Sequence, residues 1–428
     1  MSASMLKLIA LVLFVLMYVG IIGKPKWKMY FALGVAAVYL ALGILPIRQL
    51  LGVINWNVLM MIAGTMVLVY FFIESQMPNR IADMLLRRAK NVMWVTILMS
   101  LFSGVVSAFI DNVATVLMVA PVGIAICKKL KISPVPMILS IAVSSNLQGA
   151  ATLVGDTTSI MLSAEQYANM NFMDFFWMKG RPGMFFAVEL GALATMPIMM
   201  ILFRKDRQPV SSDEHTEVSD YVPSVMLVLM VLLLIAASFL PNMPKNINGY
   251  ICVGLAVITL LLDLGRRRRE TSALKALKSI DFETLLLLLG LFLVIAGIKH
   301  VGIIRAMANW IAKVGGSKPF LLYSMIVWGS VLISAFVDNI PYVATMLEVL
   351  SGVALAGKDP CLLYFGLLCG ATLGGNLTPV GASANITATG LLRKQGCEVR
   401  FKDFARIGIP FTLTAVFVGY VFIWVFWS

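Results

Sequence analysis

Apolar residues come in long blocks separated by short polar breaks: Leu8–Ile22, Tyr30–Ile47, Trp56–Ile73, Trp94–Cys127, Pro136–Leu162, Gly183–Phe203, Val222–Leu240, Asn248–Leu264, Thr284–Ile298, Leu321–Ala356, Cys361–Leu392 and Ile407–Trp427. Most match one membrane-crossing helix of about 20 residues. Two are much longer. Trp94–Cys127 and Leu321–Ala356 each run to about 35 residues and carry a polar pair at the centre, Asp111-Asn112 and Asp338-Asn339. A block of two half-helices around a polar centre predicts a hairpin that enters the bilayer and returns on the same side. Its tip backbone must then lie in protein or water, since hydrocarbon satisfies no polar group.

The polar centres repeat. Ser107-Ala108-Phe109-Ile110-Asp111-Asn112 recurs as Ser334-Ala335-Phe336-Val337-Asp338-Asn339. Downstream, the stretch from Gly149 through Thr152, Gly155 and Asp156 to Ile160 aligns with Gly375 through Thr378, Gly381 and Ala382 to Ile386. Upstream, Ile54-Asn55-Trp56-Asn57 pairs with Ile280-Asp281-Phe282-Glu283. Three matches in one order indicate a duplication. Each half holds two leading helices, a third, a hairpin, a helix broken at its glycines and a last helix. The hairpin does not cross, so each half crosses five times and the second half starts from the opposite side. The expected fold is an all-α polytopic membrane protein of two inverted repeats, an architecture of secondary transporters. The first repeat is residues 1–203, with its hairpin at 94–127 and broken helix at 136–162. A polar linker follows at 204–221, carrying Asp213, Glu214, Glu217 and Asp220. The second repeat is 222–428, with its hairpin at 321–356 and broken helix at 361–392.

Composition agrees with the blocks. Apolar residues make up 60% of the 428 and charged residues 13%, against roughly 25% charged in a soluble domain. Soluble enzymes, disordered chains and nucleic-acid readers are excluded. The net charge of +13 then sets orientation rather than a nucleic-acid partner. Most of the 34 Lys and Arg fall in loops on one side of the expected topology: Lys24, Lys26 and Lys28; Arg80 to Lys90; Lys128 to Lys131; Arg204 to Arg207; Arg266–Arg269 with Lys275 and Lys278; and Arg393 to Arg406. Cationic loops stay cytoplasmic. Both termini are therefore expected outside, in a multi-pass protein of the cell membrane whose first apolar block is retained as a span. The five cysteines, mostly in apolar runs, read as packing residues. With only His215 and His300 beside them, no zinc, haem or other cofactor is expected.

The chemistry concentrates at the polar centres. A carboxylate at bilayer depth costs about 2.5–3.5 kcal/mol and is rarely idle. Asp111 and Asp338 can cap the second half-helix and serve a site at once, for a helix N-terminus holds anions and the carbonyls before it hold cations. Gly149, Thr152, Gly155 and Gly375, Thr378, Gly381 interrupt helices, where glycine lets the backbone depart and expose ligands. Asp156 has Ala382 as its counterpart, so the first elbow alone carries a carboxylate. The candidate ion and substrate ligands are Asp111, Asn112, Thr115, Asn146, Gly149, Thr152, Gly155, Asp156, Asp338, Asn339, Gly375, Asn376, Thr378, Gly381, Ser383 and Asn385. No Lys or Arg is expected among them. Glu189, in the middle of a span, fits a proton relay or a structural partner equally. Glu348 is expected to be solvated near the hairpin's outer end.

At these motifs the whole chain resembles the ion transporter superfamily, in the branch of arsenite permeases, sodium–proton antiporters and the melanosomal P protein, with a citrate-transporter-like domain. Asp111-Asn112-Val113-Ala114-Thr115 and Asp338-Asn339-Ile340-Pro341 look like that branch's hairpin tips, and Gly375 to Asn385 like its second elbow. Related dicarboxylate–sodium carriers have Ser-Asn-Thr at both tips. Here both Ser are Asp, and both Thr are apolar. The resemblance implies a homodimer with a scaffold domain and a moving transport domain. It also admits a separate ATPase subunit, since arsenite permeases can pair with one.

The expected function is secondary transport without enzymatic activity. H⁺ would drive antiport of a small inorganic solute, Na⁺ or arsenite, because an acidic site repels anions. The alternative is Na⁺- or H⁺-coupled carriage of citrate-like carboxylates. A channel or a non-transporting receptor fits less well, because two opposed hairpins serve alternating access.

Overall fold

The computed structural model describes residues 3–210, 216–240, 243–265, 271–315, 318–353 and 359–428. The cluster Arg266–Arg269, the linker residues Asp213, Glu214 and His215, and positions 354–356 of the second hairpin block lie outside the described residues. The first half contains α1 (Ala3–Gly23), α2 (Lys28–Ala41), the short α3 (Leu50–Val53), α4 (Trp56–Glu74), α5 (Met77–Arg88), α6 (Val92–Ser107), α7 (Asn112–Leu130), α8 (Val135–Gly149), α9 (Thr157–Leu162) and α10 (Met184–Leu202). The second contains α11 (Val222–Phe239), α12 (Ile247–Gly265), α13 (Thr271–Lys278), α14 (Phe282–His300), α15 (Ile303–Gly315), α16 (Pro319–Ser334), α17 (Asn339–Ser351), α18 (Cys361–Leu368), α19 (Ser383–Lys394) and α20 (Phe401–Trp427). A two-residue antiparallel ladder, β1 (Trp177–Met178) with β2 (Arg181–Pro182), is the sole sheet among the described residues.

Among the described residues, eight helices are long and apolar enough to cross a membrane: α1, α4, α7, α10, α11, α12, α14 and α20. Helix is the form such blocks must take, because it satisfies every backbone group within the segment. The caps are local. Asn55 accepts a hydrogen bond from Val58 N at the start of α4 (3.1 Å), and Asp281 accepts one from Thr284 N at the start of α14 (3.0 Å). These are the matched positions of the weakest internal repeat.

Both long blocks fold back at their polar centres. Ser330 and Tyr342 lie on either side of the second centre, yet their hydroxyl oxygens are 3.0 Å apart. In a continuous helix, twelve residues would separate them by about 18 Å. The amphipathic α15 packs against both arms of this hairpin, α16 and α17, and α5 packs likewise against α6 and α7.

The helices sort into two bodies. In one, α4 packs on α12 and α14 on α2, with α1 and α11 beside them. Glycines permit the close approach. A methyl at Gly64 would sit 2.5 Å from the Cys252 carbonyl carbon, and one at Gly290 2.9 Å from that of Ala32. The other body holds both hairpins, both broken helices, α10 and α20. There α8 packs on α6, α7 and α19, and α20 on α10, α8 and α18.

Loop contacts define the two ends of the molecule. Ser219 N donates to Ser75 O, Thr216 N to Asp83 Oδ2 and Val92 N to Gln208 O at one end. At the other, Gly249 N donates to Asn57 Oδ1, Lys245 pairs with Glu165, Lys179 with Asp359, and Trp427 Nε1 donates to Pro182 O.

Candidate functional site

The two hairpin tips meet the two elbows at the centre of the hairpin body. Each tip Asp does cap its second arm. Asp111 Oδ1 accepts from Val113 N (3.0 Å) and Ala114 N (3.3 Å), and Asp338 Oδ1 accepts from Ile340 N (3.4 Å). The cap leaves the other carboxylate oxygen of each free for a further partner.

Each elbow is stitched to its own tip in the same manner. Thr152 Oγ1 donates to Ala108 O, and Thr378 Oγ1 donates to Ala335 O. A methyl on Gly155 would lie 2.5 Å from the carbonyl oxygens of Gly149 and Ser107, and one on Gly381 2.6 Å from those of Gly375 and Ser334. These glycines are present because backbone passes backbone there. They do not adopt a left-handed conformation, as the positive-φ glycines are Gly43, Gly180, Gly302 and Gly396. The expected reason, freedom to leave the helix, is thus replaced by close approach.

Amides join the two halves across the centre. Asn112 Nδ2 donates to Asn146 Oδ1 (2.9 Å), and Asn146 Nδ2 donates to Thr372 O (2.8 Å) and Asn376 Oδ1 (3.1 Å). Asn376 Nδ2 returns to Val143 O (2.9 Å). Asn385 Nδ2 donates to Gly375 O and Asn376 Oδ1, both at 3.2 Å. Elsewhere at the centre, Asn339 Nδ2 donates to Asp156 Oδ2 (3.3 Å), which also accepts from Thr158 Oγ1 (2.8 Å). Asp156 of the first half thus touches the tip of the second.

A cavity of about 630 Å³ opens beside these groups. Its lining includes Asp111, Asn112, Asp156, Asp338, Asn339 and Ser383 of the expected ligands. Thr115, Asn146, Gly149, Thr152, Gly155, Gly375, Asn376, Thr378, Gly381 and Asn385 are buried behind that lining. The cavity continues past Ile21, Pro25 and Lys26 and past Asp281, Glu283 and Thr284. These flank the start of α14. The last turn of α14 lines a separate cavity of about 220 Å³ with Gly52, Asn55, Tyr167 and Glu348, at the end that carries Asn57. The large cavity therefore reaches toward the opposite end, that of Ser75 and Ser219. That end holds the cation-rich loops.

Two expectations are corrected here. The site does contain a lysine. Lys28 Nζ donates to Asp338 Oδ2 at 2.8 Å, with only 13% and 12% of the two side chains exposed. In sequence it is one of three lysines in a short polar break, and the internal matches begin only at Ile54, so no pattern singles it out. Glu348 is not solvated. Its side chain is 6% exposed, Lys299 Nζ lies 2.5 Å from Oε1, and Tyr167 Oη donates to Oε2 at 3.0 Å. A carboxylate buried on the protein-facing side of α17 takes such partners because it would otherwise be left charged and unpaired. Glu189 is half-buried on α10, which packs on α20, and it does not line the cavity.

A family profile described as "Citrate transporter" matches residues 9–370 and, in a second pass, 253–428. An uncharacterized transporter of Mycobacterium tuberculosis is 30% identical over 379 residues, covering 87% of this chain and 86% of the relative. The P protein of Homo sapiens is 24% identical over 86% of this chain, which spans 53% of that longer protein. Among solved structures, the YdaH transporter of Alcanivorax borkumensis aligns with a TM-score of 0.59 at 14% identity, covering 94% of this chain and 96% of its own. MtrF of Neisseria gonorrhoeae, described with a class of antimetabolite efflux pumps, aligns at 0.55 and 15% identity over 86% and 80%. At these identities the two structures speak for the fold.

Proposed function

The chain belongs to the citrate transporter family and is a multi-pass membrane transporter, and from that premise we propose that it is a secondary carrier exchanging protons for a small inorganic solute, Na⁺ or arsenite. The observation that carries the reading is the charge of the cavity. Asp111, Asp156, Asp338, Asp281 and Glu283 line it against Lys26 and Lys28. An acidic cleft with low-dielectric walls concentrates cations and repels anions. Carboxylates at membrane depth are also the groups through which carriers relay protons. Proton and solute then compete for the same oxygens, which is the simplest form of antiport.

In this reading the chain crosses ten times as two inverted repeats, and the end with the cationic loops is cytoplasmic. The cavity then faces inward, and both termini lie outside. The body of α1, α2, α4, α11, α12 and α14 is the scaffold and dimer-forming part. The hairpin body is the part that moves. Coupling is by H⁺, Na⁺ or both. Nothing beyond the resemblance supports an ATPase subunit.

A second reading keeps citrate-like carboxylates as cargo. It is favoured by Lys28, a cation that sequence alone did not place in the site, and by the family's name. A carboxylate would have to arrive with bound cations to offset Asp111 and Asp156. Purified protein in proteoliposomes separates the two. Under an imposed pH gradient, the first reading expects flux of ²²Na⁺ or arsenite with no citrate uptake. Citrate uptake competed by succinate and indifferent to arsenite would replace it with the second.

A further inference from the structure

Asp338 already holds a cation. Its Oδ2 accepts from Lys28 Nζ at 2.8 Å and from Ser383 Oγ at 3.0 Å, while Oδ1 is committed to the helix cap. A metal ion that binds the cavity-facing oxygen of this carboxylate competes with Lys28 for it. Asp111 and Asp156, on the same cavity, carry no such tethered cation among the described residues. The two tips are therefore unequal, and the inequality comes from a residue upstream of the matched motifs.

We propose that Lys28 is a built-in competitor for the transported cation: it neutralises Asp338 when the site is empty and is displaced when a cation binds there. The inference rests on the cation reading above and adds to it the residue that sets cation affinity. Three observations support it. First, the ammonium has somewhere to go. Asp281 and Glu283 line the same cavity and lie within electrostatic reach of Lys28. The four-carbon stem of lysine is long and flexible, and its ammonium needs no fixed fork of acceptors. Second, Ser383 is suited to the exchange. A hydroxyl that donates to a carboxylate can rotate and offer its lone pairs to a metal ion. Third, the pair spans the two bodies. Lys28 opens α2, which packs on α14, whereas Asp338 caps α17 of the hairpin body. Displacing Lys28 therefore removes a contact between the bodies at the moment a cation is loaded. An empty site would be held by the pair and a loaded one released, which is the condition for obligatory coupling.

Charge balances through the exchange. With Lys28 on Asp338 the pair is neutral. With Na⁺ on Asp338, Lys28 carries its charge to Asp281 or Glu283, and the cavity gains the single positive charge of the ion.

Two measurements on the full chain test this. Acetylation of Lys28 by an N-hydroxysuccinimide ester, followed by mass spectrometry, should be several-fold faster in NaCl than in choline chloride of equal ionic strength. In Asp338→Asn it should be fast in both. In vesicles, Lys28→Met should lower the KM for Na⁺ about fivefold or more, and Lys28→Arg should restore most of the wild-type value. A purely structural lysine would lower turnover or yield and leave KM unmoved. If Lys28→Met does not fold, the labelling of the wild type still decides. Labelling of Lys28 that is indifferent to Na⁺ overturns the inference. Absent Na⁺ flux with Na⁺-dependent labelling would overturn the antiport reading alone.

Discussion

Lys299 on α14 and Glu348 on α17 form an ion pair of 2.5 Å at the end of the molecule opposite the large cavity. Tyr167, from the segment after α9, closes on the same carboxylate. Tyr18 of α1 adds a second tie to α17, donating to Pro341 O (2.6 Å) and lying 2.7 Å from Thr345 Oγ1. Together with Lys28 on Asp338, these contacts hold one hairpin arm to the other body along its whole length.

Breaking the Lys299 pair should loosen that closed end. Lys299 is 61% exposed, so water screens the pair and its worth is set at about 0.2–1 kcal/mol. That converts to a shift of up to about fivefold in the population of the opened form. In Glu348→Gln, a cysteine at Ala344, which lines the small cavity there, should react faster with an impermeant maleimide added from outside. An unchanged rate would show that the pair does not hold this end.

The central carboxylates should be separable from folding. Asn is as good a helix cap as Asp, so Asp111→Asn should keep α7 capped and the melting temperature within a few degrees. Coupled flux should nevertheless fall by roughly a hundredfold, because a proton or cation ligand at membrane depth is gone. Asp156→Asn should behave alike while retaining a partner for Asn339. Asp111→Ala should add a folding defect of about 0.5–2 kcal/mol. Flux assays and thermal melts on the same preparations would distinguish these outcomes, and full coupled flux in Asp111→Asn would remove that residue from the mechanism.

The elbows should fail in pairs. Thr152→Val and Thr378→Val each remove a hydroxyl that binds a tip carbonyl. A loss of about 0.5–1.5 kcal/mol is expected for each, with Thr→Ser restoring it. Gly155→Ala and Gly381→Ala force a methyl against two backbone oxygens and should cost about 1–3 kcal/mol or more. A thermal-shift series would check the pairing. If only one member of each pair mattered, the equivalence of the two halves would be broken.

Orientation is testable by the loops. A cysteine at Lys278 should label only from the cytoplasm, and one at Lys179 only from outside. Labelling of position 278 from outside in intact cells would invert the assignment and make the cavity outward-facing.

A modest acid dependence is expected at the end that carries Asp359. Partial burial pushes the Asp359 carboxyl up, but hydrogen bonds from Lys179 and the Cys361 backbone bring it below the ordinary carboxylate range. A depressed carboxyl contributes stability above its unfolded value, near pH 4, and that contribution is lost as pH falls through the lower folded value. Lys179 is 52% exposed, so about 0.2–1 kcal/mol is at stake. Lys179→Met should remove this part of the melting profile between pH 5 and 3 and leave the neutral range nearly unchanged.

Helices, hairpins and the convergence of tips on elbows were legible because each rests on a local pattern. Block length gives the spans, and the polar pairs Asp111-Asn112 and Asp338-Asn339 give the folds. Repetition shows that the two halves share one plan, and the contact of Ser330 with Tyr342 shows the fold-back itself. Lys28 was not legible. Its role arises from two segments more than 300 residues apart (28 and 338) that meet only through the packing of α2 beside the hairpin body. Glu348 was misread for a related reason. Its distance from the tip suggested the water boundary, but the side of α17 that bears it faces Lys299 and Tyr167. Sequence position along a helix gives depth, whereas burial depends on which neighbour covers that face. At Gly155 and Gly381 the structure shows backbone crossing backbone, a reason that no local pattern carries.

Gly155 and Gly381 each lie where a tip and an elbow pass without room for a methyl, so that pair of segments is, in effect, a single machined part. Changes of cargo during the history of such a carrier would then be confined to positions that face the cavity without bearing on that joint. Val113, Ile340 and Thr387 are of this kind, while Gly155 and Gly381 are not. A library that varies the first set on an unaltered second set would sample new selectivities on an intact chassis, and one that varies the joint would yield mostly unfolded protein.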